Sequence, residues 1–261
     1  MAGTEQTLET PQTLRRKVLR TRIIAICVLL VFWQALSASG LFYEDVVLGV
    51  PAIIKGVINL LLDHEFYDNL WVTLGEIITA TVIGALLGIV CGILLGGSRS
   101  LSRAFERYLY YLGPTPKIIF FPLMILWFGV GPGSKVALGT LSCFFPVALA
   151  VAAGMREIPH ILRKVGISLR ASPLQMTTKI YLPAMKGPVV NGLRMGLGVA
   201  VIGVLLAETK LSNKGLGFLV IQNYQRFDMQ AMYALLIVIF GLAVAANTVL
   251  SRLNRTTRYQ P

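Results

Sequence analysis

The sequence predicts an all-α membrane protein with about six transmembrane helices and a helix–turn–helix loop on the cytoplasmic side. Three observations predict this fold class. Hydrophobic residues make up 55% of the 261 residues, charged residues only 14%, and the mean hydropathy is +0.71, which suits lipid better than water. Six segments are long and apolar enough to span a bilayer, or nearly so. The basic residues are concentrated in alternate connections between those segments.

A spanning helix needs about 20 consecutive, mostly apolar residues. The first apolar run lacks the small-residue cleavage site of a signal peptide, so we expect it to be retained as a helix. The stretch Pro51–Leu62 is too short to span, and its N-terminal proline predicts an interfacial helix. The predicted spans are 22–42, 68–96, 109–130, 134–155, 187–208 and 229–251.

The positive charges predict which side of the membrane each connection occupies. Of the 24 lysine and arginine residues, 17 fall in the termini and in the connections after the second and fourth spans. Because cytoplasmic loops are enriched in basic residues, both termini are expected in the cytoplasm. The chain then divides into a basic N-terminus 1–22, a transmembrane domain 23–251 and a cytoplasmic tail 252–261. No basic run is interleaved with aromatic residues, so a nucleic-acid partner is not expected.

Small residues recur every four positions in the second span, at Ala80, Gly84, Gly88, Gly92 and Gly96. This spacing lets helix backbones approach closely in a membrane, so we expect the four glycines to serve helix packing. At 3.6 residues per turn the stripe drifts by about 40° per step, and it can therefore face two neighbouring helices. The three cysteines lie in apolar runs and the two histidines are isolated, so no disulfide framework or metal site is predicted.

Prolines interrupt the third span at Pro114, Pro116 and Pro122. A proline removes a helix hydrogen bond, so a broken or kinked helix is expected. Irregular backbone at membrane depth is tolerated only against protein or a water-filled path, and broken helices often line transport sites. Pro122 is therefore a candidate for a solute path, and a simple kink without a ligand role is the alternative.

Ionisable residues fall inside predicted spans at Glu76, Arg194 and Glu208. Such residues are functional candidates by default, because a charge at membrane depth is costly. Arg194 and Glu208 are separated by about 21 Å along one helix, which excludes a direct pair. Arg194 is expected in the cytoplasmic half, near Asn191, and Glu208 near the outer mouth. We take Pro122, Asn191, Arg194 and Glu208 as candidates for a solute path; the alternative is that the charges snorkel or brace loops.

The longest cytoplasmic connection, 156–186, carries the signals of two short helices. Pro159 can open the first helix. The stretch that begins the second, Ser172-Pro173-Leu174-Gln175, supplies an N-cap, a proline at the first helical position and a capping-box glutamine, and Pro183 is expected to end that helix. A folded loop of this kind in a small membrane protein is typical of a docking surface for a soluble partner.

This loop resembles the coupling loop of binding-protein-dependent ABC importer permeases, in which a glycine is followed after nine residues by Ile-x-Leu-Pro. At that spacing from Arg170 the sequence has Ile180-Tyr181-Leu182-Pro183. Three further stretches resemble the nitrate, sulfonate and taurine branch of these permeases. They are Ile118–Gly131 with Ser134-Lys135, Phe144-Phe145-Pro146 with Gly154, and Asn191–Arg194 leading into Ala207-Glu208 and Gly215-Leu216-Gly217.

The resemblance implies a permease subunit in a bacterial inner membrane that translocates a small anionic or polar solute delivered by a soluble binding protein. The implied partners are two copies of an ATP-binding subunit and a second permease chain, in a homodimer or a heterodimer. The sequence has no phosphate-binding loop, so the chain is expected to bind no cofactor and to be no enzyme, with ATP on the partner subunit. The coupling residues implied are Lys164, Gly166, Arg170, Ala171, Ser172, Pro173, Ile180, Leu182 and Pro183.

The loop differs from the family pattern at three positions. Lys164 stands at the glutamate position, Gly166 at the next small-residue position and Arg170 at the glycine position. An arginine with positive φ costs on the order of 1 kcal/mol relative to glycine, unless the turn is rebuilt. We expect either an ATPase groove adapted to this loop, or a heteromeric permease in which this chain is the weakly coupled partner. An ion-coupled secondary transporter is the rival class, although no convincing internal repeat is present.

Overall fold

The computed structural model describes residues 11–41 and 46–255, with side chains described for 16–41 and 46–248. Within these ranges the chain forms eleven helical segments and no strand, which confirms the all-α prediction. Part of the predicted N-terminus 1–22 and most of the tail 252–261 lie outside the described residues. The helices are α1 (Pro11–Ala38), α2 (Val50–Leu62), α3 (His64–Gly97), α4 (Arg99–Leu112), α5 (Lys117–Phe128), α6 (Pro132–Glu157), α7 (His160–Ser168), α8 (173–184), α9 (Lys186–Lys210), α10 (Leu216–Gln225) and α11 (Met229–Arg255).

Five of these helices, α1, α3, α6, α9 and α11, are long and apolar enough to cross a membrane. A sixth span results if α4 and α5, which meet at a bend of 95°, form one broken span. The prediction of about six spans therefore agrees with the structure. We call the end of the bundle that carries α7 and α8 the basic end, and the end that carries α2 and α10 the opposite end.

The third span has other boundaries than the predicted 109–130. It begins at Arg99, and the helix breaks between Gly113 and Pro116. Pro114 and Pro116 have no N–H to continue the helix hydrogen bonds, so the helix ends where they stand. Pro122 causes no kink, because it lies in the first turn of the α-helical part of α5, where its missing N–H costs nothing.

The centre of the bundle is α6, which α3 contacts in a constant parallel register. The four glycines of α3 pack on it without an intervening side chain. A Cβ at Gly84, Gly88, Gly92 or Gly96 would lie 2.6, 2.8, 2.6 or 2.5 Å from the Cβ of Cys143, Val147, Val151 or Met155, respectively.

All four glycines therefore face one neighbour, and the expectation that the stripe can face two is wrong. The contacts on α6 also recur every four residues, so the inclined four-residue ridges of both helices interdigitate. The four-residue ridges of α3 and α6 are inclined to their helix axes by the same amount. Helix α6 therefore stays in contact with the glycine stripe along its whole length.

On its other side α6 contacts α9, which runs antiparallel to it. Gly192 of α9 packs against Val147, Gly196 against Cys143 and Gly203 against Ser142. These contacts place the middle of α9 level with the middle of α6, and they fix the depth of the residues between the glycines.

The remaining helices lie at the edges of this three-helix core. The predicted interfacial helix is present as α2, and it packs on α11, where Gln230 Nε2 donates to the carbonyl oxygen of Ala52 at 3.0 Å. Helix α1 reaches the rest of the chain near its C-terminal end, where Trp33 Nε1 donates to the carbonyl oxygen of Leu48 at 2.9 Å. Most of the apolar side chains of α1 are exposed.

Candidate functional site

The connection between α6 and α9 at the basic end is a rigid continuation of the core. Ile158 and Met185, at its two ends, are buried in the cluster that α6 and α9 form. Leu182 of α8 packs against the same cluster. Arg163 of α7 donates from Nη2 to the carbonyl oxygen of Met155 at 2.7 Å. A force that displaces this loop must therefore also displace α6 and α9.

Helices α7 and α8 contact each other at Gly166. The residue is buried, and a Cβ there would overlap Met176 Sδ and Ile180 Cδ1. Glycine is therefore needed at this position for the two helices to close on each other. Two of the predicted coupling residues, Gly166 and Ile180, thus lie at the contact that holds the two helices of the loop together.

The turn between the two helices keeps the shape that the family pattern implies. Arg170 has φ +49°, so it adopts the left-handed conformation that favours glycine. Its N–H donates to the carbonyl oxygen of Ile167 at 2.9 Å, and the N–H of Ala171 donates to that of Gly166 at 3.0 Å. These two bonds are the Schellman motif of a helix C-terminus. The turn is not rebuilt around the arginine, and the conformational cost of Arg170 remains.

The predicted capping box of α8 is present. Ser172 Oγ accepts from the N–H of Gln175 at 3.3 Å, and Gln175 Oε1 accepts from the N–H of Ser172 at 2.9 Å. Pro173 stands at the first helical position, as expected. At the other end, α8 continues one residue past Pro183 to Ala184, and α9 begins at Lys186.

The tip of the loop exposes apolar side chains next to basic ones. Ile167, Leu169 and Leu174 are 69%, 76% and 72% exposed. Lys164 and Arg170 are exposed beside them. An apolar patch with a positive rim suits a partner that offers an apolar pocket with a negative rim.

A salt bridge that the sequence did not indicate ties this loop to α4. Arg156 Nη1 lies 2.5 Å from Glu106 Oε2, and Nη2 lies 2.7 Å from Glu106 Oε1. Ser102 Oγ donates to the same carboxylate at 2.5 Å. The bidentate geometry fixes the C-terminal end of α6 on the broken span. The sequence does not predict the pairing of Arg156 with Glu106, because Glu106 lies before the predicted start of the third span and belongs to α4 only in the structure.

At the opposite end, Glu208 caps the N-terminus of α10. Its Oε2 accepts from the N–H of Gly217 at 2.7 Å, and its Oε1 accepts from Thr73 Oγ1 at 2.7 Å. The Thr73 hydroxyl accepts in turn from the N–H of Leu216 at 2.8 Å, and Asn69 Oδ1 accepts from that of Gly215 at 2.7 Å. These bonds satisfy the free N–H groups of the helix start with an anion at its positive end.

Glu208 is only 1% exposed, so the described chain does not open it to a solute path. The hydrogen bonds of Glu208 fit the alternative interpretation, in which the residue braces a loop. Next to it, Glu76 of α3 forms an ion pair with Lys135 of α6, with Nζ 3.4 Å from Oε1. Lys135, near the start of the predicted span 134–155, is 1% exposed. Only the register of α3 on α6 reveals this pair.

The other candidates for a solute path are exposed. Pro122, Asn191 and Arg194 are exposed on α5 and α9. Arg194 lies between Gly192 and Gly196, which contact the middle of α6, and it lies in the half of α9 (Lys186–Lys210) that is nearer the basic end. The structure thus separates Glu208, which belongs to a buried brace, from these three residues.

Comparisons with known proteins bear on this arrangement. Residues 84–259 match the family model described as "Binding-protein-dependent transport system inner membrane component". A probable ABC transporter permease protein of Haemophilus influenzae is 30% identical over 224 residues, which are 85% of this chain and 90% of that protein. The taurine transport system permease protein TauC of Escherichia coli is 32% identical over 71% of this chain and 65% of that protein. A putative aliphatic sulfonates transport permease protein SsuC of Bacillus subtilis is 29% identical over 81% of this chain and 76% of that protein.

Among solved structures, the chain is similar in fold to a chain of the MetNI methionine ABC transporter in an inward-facing conformation. The TM-score is 0.63 at 20% identity, and the match covers 82% of this chain and 99% of the other. With two thirds of its length matched by the family model, the chain belongs to the inner-membrane components of binding-protein-dependent transport systems and is an ABC transporter permease subunit.

Proposed function

We propose that this permease is the membrane subunit of an importer that takes up a small anionic or polar solute delivered by a soluble binding protein. The observation that carries the proposal is the anchoring of loop 156–186. Its two ends, Ile158 and Met185, are buried in the core cluster of α6 and α9. A push on the loop is therefore a push on the helices at the centre of the bundle.

The basic end is the cytoplasmic end in this proposal. Cytoplasmic connections are enriched in basic residues, and the loop carries Arg163, Lys164, Arg170 and Lys179. Both termini then lie in the cytoplasm of a bacterial inner membrane. Segment 23–251 forms the permease domain, and α2 and α10 lie on the outer side, where a binding protein would dock.

In the proposed assembly two permease chains enclose the solute path, and two copies of an ATP-binding subunit bind their loops. We assign ATP hydrolysis to that subunit because this sequence lacks a phosphate-binding loop, and we expect no catalysis and no cofactor on this chain. Closure of the ATP-binding subunits would move both loops and rock α6 and α9 to give alternating access. The MetNI likeness, at 20% identity, supports the fold alone.

A heteromeric importer in which this chain is weakly coupled is the second candidate. Its support is now confined to charge. Arg170 retains the left-handed turn, so the shape of the loop gives no reason for weak coupling. Lys164 still reverses the charge expected at its position, and it is exposed. Copurification of one or of two different permease chains distinguishes the homodimer from the heterodimer. The ion-coupled secondary transporter is not favoured, because the chain belongs to the permease family.

The test is retention of the ATP-binding subunit on the purified permease. Leu174→Asp places a charge on the exposed tip, where the side chain is 72% exposed, so folding should be unaffected. We expect the variant to insert normally and to lose most of the ATP-binding subunit during purification in mild detergent. The matched control is Phe227→Asp at the opposite end, where the side chain is 79% exposed. Equal retention by the two variants would contradict the docking role of the loop.

A further inference from the structure

Arg194 lies near the middle of the bundle, four residues from the middle of α9 on the side of the basic end. Its neighbours Gly192 and Gly196 contact Val147 and Cys143, which lie in the middle of the 26-residue helix α6. At 1.5 Å per residue, the ends of α6 are each about 20 Å away. Ionisable side chains at this depth face the bundle interior or water, because contact with lipid is costly.

The guanidinium of Arg194 is only partly occupied by the protein. Its Nε donates to Asn247 Oδ1 of α11 at 2.7 Å. Among the described side chains, none accepts from Nη1 or Nη2, and no carboxylate lies within ion-pair distance. Asn247 thus holds one N–H of the group and leaves the terminal fork available. That fork has the geometry that binds two oxygen atoms of an oxyanion at once.

The exposed face of α9 around Arg194 combines apolar side chains, at Met195 and Ile202, with small and polar ones. It carries Asn191 and Gly198 one turn to either side, and a Cβ on Gly198 would meet no atom within 4 Å. On α3, exposed Gly75 is followed by a run of bulky apolar side chains on the exposed face, at Ile78, Val82, Leu86, Val90 and Leu94. A face with small and polar residues at mid-depth suits a water-filled path enclosed by a second permease chain.

A second positive charge lies at the same depth, at the break of the third span. The ammonium group of Lys117 is 5.0 Å from the ring centroid of Phe145, in the middle of α6. Its hydrogen-bond acceptors are backbone carbonyl oxygens, at Gly113 and, at 3.1 Å, at Thr115. No carboxylate among the described side chains pairs with it. In the described part of the chain, Arg194 and Lys117 are therefore two cationic side chains near the middle of the bundle that pair with no carboxylate.

We propose that the terminal fork of Arg194 binds an oxyanion of the transported solute at membrane mid-depth, and that Lys117 adds to the positive potential there. This inference rests on the proposed importer function and narrows its solute to small anions with at least two equivalent oxygen atoms. Sulfonates, carboxylates and nitrate share that chemistry.

The first test measures the potential in the path of the assembled transporter, without receptor or ATP turnover. Gly198→Cys places a thiol about 6 Å from Arg194 along the helix, in open space. We compare its reaction rates with an anionic (sulfonatoethyl) and a cationic (trimethylammonioethyl) methanethiosulfonate, and the transporter without this substitution supplies the background of the native cysteines. Both reagents should react, and adding Arg194→Gln should lower the anionic-to-cationic rate ratio about tenfold.

Two further substitutions serve as controls for this ratio. Arg194→Lys keeps the charge and should keep the ratio. Lys210→Gln removes an exposed charge from the same helix about 24 Å away, well beyond the screening length, and should leave the ratio unchanged. A thiol that reacts with neither reagent would place this face in lipid or in a sealed interface and overturn the proposal. A ratio that does not change in Arg194→Gln would also overturn it.

The second test uses nitrate as the oxyanion probe, against chloride at equal ionic strength. Nitrate should slow the anionic reagent more than chloride does when Arg194 is present, because two nitrate oxygens fit the fork. In Arg194→Lys the two salts should act alike, since a single ammonium group has no fork. Equal slowing by both salts with Arg194 present would overturn the oxyanion assignment. Absence of ATP-driven uptake would instead refute the importer function, which neither labelling experiment requires.

Discussion

The contact between α3 and α6 makes a quantitative prediction at Gly92. A Cβ at this position would lie 2.6 Å from Val151 Cβ and 2.7 Å from the carbonyl oxygen of Ala148, whereas ordinary contacts begin near 3.4 Å. Gly92→Ala therefore forces α6 to move by nearly 1 Å. Overpacking of this kind costs about 1–3 kcal/mol. Alanine recovers about 0.5–1 kcal/mol through its better helix propensity, so a net loss of up to about 2.5 kcal/mol in the free energy of unfolding is expected.

Gly75 supplies the matched control on the same helix. A Cβ there would meet no atom within 4 Å, so Gly75→Ala should only gain helix propensity and stabilise the protein by about 0.5–1 kcal/mol. The measurement is unfolding of each purified variant by sodium dodecyl sulfate in mixed micelles, followed by circular dichroism. Gly88→Ala combined with Gly92→Ala should cost less than the sum of the two, because one displacement of α6 relieves both contacts. If Gly92→Ala proves as stable as Gly75→Ala, the close approach of α3 and α6 is refuted.

Two further predictions concern the ends of the bundle. Arg170→Gly should raise the free energy of unfolding by about 1 kcal/mol, because glycine adopts φ +49° without strain. A thermal melt of the purified permease measures this change, and an unchanged midpoint would mean that the turn carries no strain. Thr73→Val removes the hydroxyl that donates to Glu208 and accepts from the N–H of Leu216, which should cost about 2 kcal/mol or more. Hydrogen exchange at the Leu216 amide should accelerate in that variant while exchange in α7 stays constant, and equal protection in both proteins would contradict the bracing of α10.

Features that depend on local sequence were predictable. Apolar length defined the long spans, and the capping box of Ser172 and Gln175 followed from residue types at fixed spacing. The conformation of Arg170 followed from its position in a recognisable turn. The start of the third span was not predictable from apolar length, because α4 begins with exposed Arg99 and Arg103, which look like part of a loop.

Features that depend on helix register could not be predicted. Glu76 and Lys135 are 59 positions apart in the chain, and only the packing of α3 on α6 joins them. The bracing role of Glu208 could not be read from the sequence. One of its main partners is the backbone N–H of Gly217, and a backbone group gives no signal in the sequence. The contacts of Gly192 and Gly196, on either side of Arg194, with the middle of α6 likewise depend on the packing of α9 on α6.

The constant offset between α3 and α6 also restricts how this chain can change in length during evolution. The same separation of 59 positions joins Glu76 to Lys135 and each glycine of α3 to its partner. Deleting one residue after Glu76 would rotate the rest of α3 by about 100° and shift it by 1.5 Å, so every later glycine would turn away from α6. A matching deletion in α6 would restore the alignment. Insertions and deletions within these two segments should therefore occur among descendants only in compensating pairs, whereas the connection between α2 and α3 and the tail are free of this restriction.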